Sequence, residues 1–330
     1  MTTPHNRPNY RITIDGSDRT NIFKGRLISL NLRDLRGFEA DTLTITVSDH
    51  DGSLNLPRRG AVIEPAIGWA GETLTEKGKF IVDEVSHNGP PDTITITARS
   101  ADFRKGMKTQ RTHGWHDTTL GDLLRTIAAR HQLEAVVSPA LDSVAIAHLD
   151  QTNESDANLL TRLGQQHDAI AAIKSGRLLF TAAGLGKSSS GKGLPPITLH
   201  RRDGDRHRYR EADRESEYTG VQTTYWDDQA AQLLTFTAGE PGNLKTLRTS
   251  HATADEAKAA AAAEWARIKR GTATMSVTLA IGQAALIPES PITLVGWKRE
   301  ITEKAWICSE INHALGDGYT CGFSLELSGK

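Results

Sequence analysis

The sequence has little cysteine, no long hydrophobic run and almost no net charge. No apolar stretch approaches the roughly 20 residues that cross a bilayer, and the polar N-terminus lacks the order of a signal peptide, so we expect the chain to fold in a cytoplasm. Its two cysteines, Cys308 and Cys321, flank a predicted hairpin turn. If Gly316 and Asp317 form that turn, Cys308 lies opposite Leu325, which places the two sulfurs poorly for a disulfide. Both cysteines are interpreted as reduced core or sheet residues.

The balance of charge also excludes a general attraction to polyanions. The sequence has 39 Lys and Arg residues against 40 Asp and Glu residues, so no net field draws the whole molecule to nucleic acid or to an anionic membrane. A basic run, His200–Arg210, is interleaved with acidic residues. This mixture favours a salt-bridged loop or a protein interface over specific nucleic-acid binding.

Motifs for catalysis or for cofactor binding are incomplete. Gly186–Lys192 fits the start of a phosphate-binding loop, but Gly193 stands where the magnesium-binding hydroxyl is required, so a flexible linker is the better interpretation. His113 and His116 have no nearby cysteine or carboxylate to complete a zinc site and are interpreted as loop histidines. The sequence contains no nucleophile elbow. It therefore predicts no catalytic, cofactor-binding or metal-binding residue, and a protein that is not an enzyme.

Hydrophobic periodicity predicts a mainly β chain with an α+β insert. Strand-like alternation between Gly and Pro clusters fills the first hundred residues and resumes in the last third, as in an antiparallel barrel or sandwich. The predicted segments are a first β domain over 1–104, a small helical or α+β insert over 105–183, a flexible linker or loop over 184–196, and a second β domain over 197–330.

Two helices carry capping signals that fix where they begin. Thr119 and Asp122 form a capping box before the apolar face of a helix in the insert. Thr253 and Glu256 do the same before an alanine-rich helix over about 254–270, which ends in basic residues and a glycine. Helical spacing of the apolar residues in this second helix predicts that it packs on a neighbouring sheet.

The end of the first β domain and the end of the chain share a sequence pattern. Each has a Pro-bounded turn, an apolar strand and a Gly-Trp pair, followed by an aromatic residue, a glutamate and a histidine in one register. The matched positions are Trp69, Phe80, Glu84 and His87 in the first copy and Trp297, Trp306, Glu310 and His313 in the second. The repeat predicts two homologous copies of one β domain, which can present nearly the same surface twice in a symmetric assembly. The two histidines are expected to satisfy backbone groups rather than to bind metal.

Two regions carry a further pattern. In the insert, the capped helix Thr119–His131 is followed by Asn153–Leu163, which contains Glu-Ser-Asp and then Leu-Thr-Arg-Leu, and by the strand Gly176–Phe180. Near the C-terminus, the alanine-rich helix precedes Ile292–Trp297 and the hairpin of His313. This arrangement resembles the phage late-control protein D family, the hub of contractile tail baseplates. That family is related to the N-terminal hub part of the valine-glycine repeat spike proteins of type VI secretion.

The resemblance implies a structural baseplate hub of a contractile phage tail or of a tail-derived particle such as an R-type bacteriocin. Its two β domains would be tube-like antiparallel barrels, and three chains would form a pseudo-sixfold ring between the sixfold tail tube and the threefold central spike. The implied partners are two further copies of the chain, a tail tube or tube-initiator protein, a separate spike protein, and tape-measure and baseplate wedge proteins. No cofactor, membrane or specific nucleic acid is implied, and assembly in the bacterial cytoplasm is expected.

Two other functions stay open on the sequence alone. Thr119-Leu120 together with Ile127-Ala128 resembles lysin-motif repeats, so a peptidoglycan-binding tail module is an alternative. A glycan-cleaving tail enzyme would have to rely on scattered carboxylates, which are too common in turns to indicate that chemistry.

Overall fold

The structure is a computed structural model that describes residues 7–38, 40–100, 106–174, 176–188, 191–211, 218–227 and 229–329. The first part contains β1 Pro8–Ile14, β2 Ser17–Asp18, α1 Thr20–Phe23, β3 Leu27–Leu35, β4 Thr42–Ser48, β5 Val62–Trp69, β6 Thr75–Glu76, β7 Phe80–Asn88 and β8 Thr93–Ser100. The middle part contains β9 Gln110–Thr119, α2 Leu120–Arg130, β10 Glu134–Val137, α3 Pro139–Asp142, β11 Ala145–Ser155, α4 Asp156–Gln166, β12 Ala169–Lys174 and β13 Arg177–Ala182. The last part contains β14 Ile197–His200, a short 3-10 turn Arg201–Asp203, β15 Gly204–Glu211, β16 Gly220–Asp227, β17 Gln232–Gly239, β18 Leu244–His251, α5 Ala254–Arg270, β19 Ala273–Leu279, β20 Pro291–Val295, α6 Arg299–Thr302, β21 Trp306–Leu315 and β22 Tyr319–Leu327.

The strands of the first part form where the sequence alternates. In β4, Leu43, Ile45 and Val47 are buried while the threonines between them are partly exposed. The apolar side chains meet Ile94 and Ile96 of β8 in one core cluster. β-Branched residues suit such a pleated surface with one buried face, so the period-two pattern determines both the strand and the face that it buries.

Two six-strand units make up most of one 14-stranded sheet. The first unit has the strand order β1-β5-β7-β8-β4-β3, and the second has the order β14-β20-β21-β22-β19-β15. Neighbouring strands are antiparallel in both units, except that β14 is parallel to β20. Each unit has its own apolar core cluster, and the cluster of the first unit also includes Leu315 and Tyr319 of the second. The mainly β fold class is confirmed.

The stretches that end at His87 and His313 lie in hairpins of the same geometry. β7 pairs with β8 as β21 pairs with β22, antiparallel in both cases. Each hairpin has a register shift, between Val82 and Glu84 in the first and between Cys308 and Glu310 in the second. These are the same positions of the sequence repeat. Cys308 pairs with Leu325 as predicted, but the turn is one residue longer than predicted, because Leu315 pairs with Tyr319 and the register shift restores the pairing of Cys308. Both cysteines are buried free thiols.

The middle part is a separate α+β unit. Helices α2 and α4 share a core cluster with the sheet β10-β13-β12 and with the two-stranded ribbon β9-β11. The predicted cap of α2 is present, because the Thr119 hydroxyl accepts a hydrogen bond from the Asp122 N–H at 3.1 Å. Ser155 caps α4 by accepting from the Asn158 N–H at 3.2 Å. Strands β9 and β11 have few apolar residues, so hydrophobic periodicity does not predict them.

The predicted alanine-rich helix is confirmed as α5, Ala254–Arg270. Its cap residue Thr253 accepts a hydrogen bond from the Glu256 N–H at 3.2 Å, and Ala257 and Ala261 are buried. The helix packs on a three-stranded sheet with the order β17-β16-β18. This sheet lies between β15 and β19 in the sequence and forms no ladder with the 14-stranded sheet in the described ranges.

Within the predicted linker over 184–196, the described residues 184–188 and 191–196 form a loop that is attached to the second unit. The Gly184 N–H donates to Glu289 Oε2 at 2.9 Å, and the Gly184 carbonyl accepts from the Gly329 N–H at 2.9 Å. The Leu194 N–H donates to the Gly186 carbonyl at 2.8 Å. The first two bonds attach the loop to residues next to β20 and β22, and the third joins two residues of the loop itself.

Candidate functional site

The repeat positions lie at the junction of the two six-strand units and on the matching edge of the first unit. Glu310 and His313 are on the half of β21 that pairs with β3. Glu84 and His87 are on the second half of β7, which pairs with β8 on one side and has no strand on its other side in the described chain. The structure therefore places one set in a contact between the units and leaves the other set exposed.

The aromatic repeat positions divide in a similar way. Phe80 and Trp306 are both buried in the core of their own unit. Trp69, at the end of β5, packs on Tyr319 of the second unit with ring centroids 5.2 Å apart. Trp297 instead packs within the second unit. The eight positions are thus not gathered into one pocket, and their common feature is their place in the two units.

The junction itself is a strand pairing. Six residue pairs, from Glu310–Leu35 to Leu315–Leu30, join β21 to β3 in antiparallel register. On the polar face of this pairing, Arg33 Nε donates to Glu310 Oε1 at 2.6 Å. Backbone hydrogen bonds across the junction make the two units one continuous sheet.

A buried polar cluster lies under the junction. His313 is fully buried, and its Nε2 lies 3.0 Å from Lys77 Nζ while its Nδ1 lies 2.9 Å from the Tyr319 hydroxyl and 3.6 Å from Cys321 Sγ. Lys77 also donates to the Ala284 carbonyl at 2.6 Å. Burial, together with the nearby Lys77 charge, lowers the pKa of His313 to about 2. The ring is therefore neutral, and it can accept a hydrogen bond from the ammonium of Lys77.

The expectation that both histidines satisfy backbone groups is wrong for His313, whose ring contacts three side chains. Two members of this cluster, Lys77 and Tyr319, carry no signal of the contact in the sequence. Lys77 comes 236 residues before His313, so no local spacing could indicate the contact. Tyr319 follows the predicted turn directly and was visible only as a strand residue. Burial lowers the pKa of Lys77 to about 8, which marks it as an unusual lysine only once the structure is known.

Charged pairs connect the middle part to α5 and the first unit to the second. Arg270 of α5 is 4% exposed and donates to Asp168 Oδ2 at 2.6 Å. Arg36 contacts Glu289 at 2.5 Å and Glu326 at 2.6 Å. Burial raises the pKa of Glu289. Every one of these carboxylates has a guanidinium partner from another element, an arrangement that holds elements together.

A second buried carboxylate organises the middle part. Asp156, at the start of α4, is fully buried. Its oxygens lie 2.8 Å from Arg130 Nη1, 2.7 Å from His131 Nε2 and 2.8 Å from Gln151 Nε2. Burial alone raises the pKa of Asp156, but the hydrogen bonds from Gln151, His131 and Arg130 outweigh it, so that the pKa is lowered. The carboxylate is thus ionised and links α2, β11 and α4.

Two interpretations from the sequence need correction. His113 and His116 lie on strand β9 and not in a loop, and His116 Nδ1 is 3.0 Å from His148 Nδ1 on β11. The basic run His200–Arg210 is largely the strand β15, at one edge of the 14-stranded sheet. Among the residues that the structure describes, no group of three or more His, Cys, Asp or Glu side chains is arranged to hold a metal ion. No helix in those same residues is long and apolar enough to cross a membrane.

Replacing Gly282 with alanine should destabilise the junction by about 1–3 kcal/mol. A Cβ atom at this position would lie 2.5 Å from the Tyr319 ring, and the Gly282 carbonyl also accepts a hydrogen bond from Trp69 Nε1 at 2.9 Å. Thermal unfolding measures the effect. Gly322→Ala in β22 is the matched control, because a Cβ there has no heavy atom within 4 Å; equal melting temperatures for the two variants would contradict the prediction.

Comparison with known proteins gives concordant matches. The family model for "Phage tail baseplate hub (GPD)" matches residues 44–319. The chain is 41% identical to the "Probable baseplate hub protein" of Escherichia phage 186 over 363 residues, covering 97% of this chain and 93% of that one. A tail protein from Neisseria meningitidis MC58 has a similar fold, with a TM-score of 0.70, 13% identity and 96% of each chain covered. The Escherichia coli c3393 protein, a component of the type VI secretion system, aligns with a TM-score of 0.56 and 11% identity over 97% of this chain and 76% of that one.

Proposed function

Because the chain belongs to the phage tail baseplate hub (GPD) family, we propose that three copies of it form a pseudo-sixfold ring that joins a sixfold tail tube to a threefold central spike. The observation that carries this proposal is the strand-by-strand correspondence between the two six-strand units. Three chains would present six such units around one axis. Six similar surfaces on one side suit a sixfold tube, while the threefold symmetry of the chains suits the spike.

The proposed role is structural rather than enzymatic. The buried charged groups at the junction and in the middle part are hydrogen-bonded or ion-paired across elements. Such pairing favours a fixed arrangement of strands and helices over proton transfer to a bound substrate. We therefore assign no catalytic residue to the chain.

The proposed partners follow from the ring. They are two further copies of the chain, a tail tube or tube-initiator protein on one side, and a spike protein on the other, with tape-measure and baseplate wedge proteins as further neighbours. The particle would be a contractile phage tail or a tail-derived particle, assembled in the bacterial cytoplasm.

Native mass spectrometry with light scattering tests the trimer. The expected species has three times the 35.9 kDa mass of the chain, alone or after addition of a tail tube and a spike protein. Electron microscopy of that species should give a ring with six similar lobes. A chain that stays monomeric and binds neither partner contradicts the proposal.

A further inference from the structure

One edge contact joins the two units within a chain, and the strands that match its two sides have open edges elsewhere in the sheet. The contact is made by the second half of β21 and the outer edge of β3. In the strand orders given above, β7 takes the place of β21 and β15 takes the place of β3. Neither the second half of β7 nor the outer edge of β15 pairs with another strand in the described parts of the chain.

The match between β7 and β21 holds at the level of single residues. Both strands contact the preceding strand of their unit only at their first residues, Phe80 and Ile81 in β7 and Trp306 and Ile307 in β21. In both strands the register shift described above follows directly, between Val82 and Glu84 in β7 and between Cys308 and Glu310 in β21. The second half of β7 therefore begins at Glu84, in the position that Glu310 has in β21.

The match between β3 and β15 is equally close. Arg33 of β3 pairs with Thr42 of β4, and Arg210 of β15 pairs with Thr274 of β19. A register shift begins six residues before Arg33 in β3 and six residues before Arg210 in β15. Such a shift changes which side chains face the polar side of a strand. Arg33 and Arg210 therefore occupy equivalent places.

The two correspondences together identify a second pair of oppositely charged residues. Arg33 and Glu310, which form the ion pair of the junction, match Arg210 and Glu84. Both residues of this second pair are exposed, and neither has an ion pair or a hydrogen-bond partner of its side chain among the described residues. A strand contact like that of the junction would place their opposite charges together.

The exposure of the repeat histidines supports the same contact. His313, on the covered half of β21, is 0% exposed, whereas the side chain of His87, at the matching place in β7, is 45% exposed. The position two residues before each histidine shows the same trend, since Ile311 is buried and Val85 is partly exposed. An added strand along β7 would cover these positions as β3 covers them in β21.

We propose that β15 of one copy of this chain pairs, antiparallel, with the second half of β7 of the next copy, and that Arg210 and Glu84 form an ion pair across this contact. The register copies that of the junction: Asn312 pairs with Arg33, so Ser86 pairs with Arg210 of the neighbouring copy. The contact is head to tail, and a head-to-tail contact gives a ring when its rotation closes, here after three copies. The inference rests on the proposed trimeric ring and identifies the surface that closes it.

Disulfide trapping tests the register. In the double variant Ser86→Cys with Arg210→Cys, each chain offers one thiol to each neighbour, and opposite residues of paired strands have Cα atoms within disulfide range. Mild oxidation of the assembled protein should give linked dimers and trimers, and no larger species, on a denaturing gel. In the control, Ser86→Cys with Arg206→Cys, the second thiol is four residues out of register and should not link. Absence of linked species in the first variant, or equal linking in both, overturns the inference.

Charge exchange tests the ion pair. Glu84→Arg and Arg210→Glu each place like charges opposite one another, so each should raise the dissociation constant of the trimer by about tenfold or more. The combination Glu84→Arg with Arg210→Glu restores opposite charges and should recover most of the affinity. Single variants that associate like the unchanged chain overturn the ion pair.

The outcomes separate the two proposals. If the unchanged chain does not form a trimer, the proposed function fails. If it forms a trimer whose thiols do not link and whose charge variants have no effect, only the β7–β15 contact fails. The monomer fold serves as a check in each case, because Glu84, Ser86 and Arg210 all lie at open edges, so circular dichroism of the variants should match that of the unchanged chain.

Discussion

Replacement of Asp156 by alanine should lower the free energy of unfolding of the middle part by about 3–5 kcal/mol. The buried carboxylate accepts hydrogen bonds from Arg130, His131 and Gln151. Its removal leaves the partly buried Arg130 guanidinium and the buried His131 imidazole without their carboxylate partner, and a group left unpaired in such a site costs more than the pair itself contributes. Hydrogen exchange of α2 and α4 during urea titration measures the loss locally.

Asp150→Ala is the matched control for this variant. Asp150 lies on the same strand as Gln151 but its side chain is 63% exposed, 3.2 Å from His148. An exposed pair of this kind contributes at most about 1 kcal/mol. The pKa of Asp156 is lowered in the folded state, so the stability that it contributes is present at neutral pH and is lost as the pH falls below about 4. If the two variants unfolded at the same urea concentration, Asp156 would not organise the middle part.

The elements that sequence reasoning found are those in which one physical signal dominates. Strand β4 alternates over its whole length, and α5 has a capping threonine, an apolar stripe and a glycine stop. Both were predicted at nearly their observed bounds. The repeat is visible in the sequence because aromatic residues, a glutamate and a histidine recur at fixed spacing. The glutamate and the histidine of its second copy lie on β21, one of the two strands that form the junction. The resemblance to the hub family is confirmed by the family match.

Other elements have no such signal. Strands β9 and β11 are polar along most of their length and pair chiefly with each other, so their strand conformation depends on tertiary contacts rather than on a pattern. The sequence of the edge strand β15 has the pattern of a basic loop, because its side chains are largely exposed and therefore polar. Contacts between distant positions, such as Lys77 with His313, depend on the pairing of β21 with β3, which no single stretch of sequence encodes. The domain boundaries at 104, 183 and 196 stay predictions.

The same features explain why the repeat is informative about assembly. An exposed charge contributes little to the stability of a lone chain. Arg210 and Glu84 are useful together only if two edges meet. The junction is an example of such a contact between two strand edges, because Arg33 and Glu310 form the corresponding ion pair inside the chain.

The free energy of unfolding of the junction should fall by up to about 3 kcal/mol between pH 6.5 and pH 4.5 because of His313. The folded pKa of this residue is lowered to about 2, while an unfolded histidine has a pKa of about 6.5. Below pH 6.5 the unfolded chain therefore binds a proton that the folded chain excludes, and stability is lost as the pH falls. Above pH 6.5 both states are neutral at this position, and the contribution no longer changes.

Urea titrations at several pH values, compared between the unchanged chain and His313→Gln, isolate this term because all other groups are shared. Glutamine can still accept a hydrogen bond from Lys77, but it does not titrate, so the difference between the two curves should shrink as the pH is lowered from 6.5 to 4.5. His87→Gln is the control, since it removes the exposed histidine at the matching position of β7.

Parallel curves for the unchanged chain and His313→Gln would mean that the buried ring can take up a proton without opening the junction. A protonated ring would then face the Lys77 ammonium at about 3 Å, where two like charges in a buried site repel strongly. We therefore expect the His313 ring to take up a proton only when the two units separate. The loss of stability should then coincide with the loss of the β3–β21 pairing.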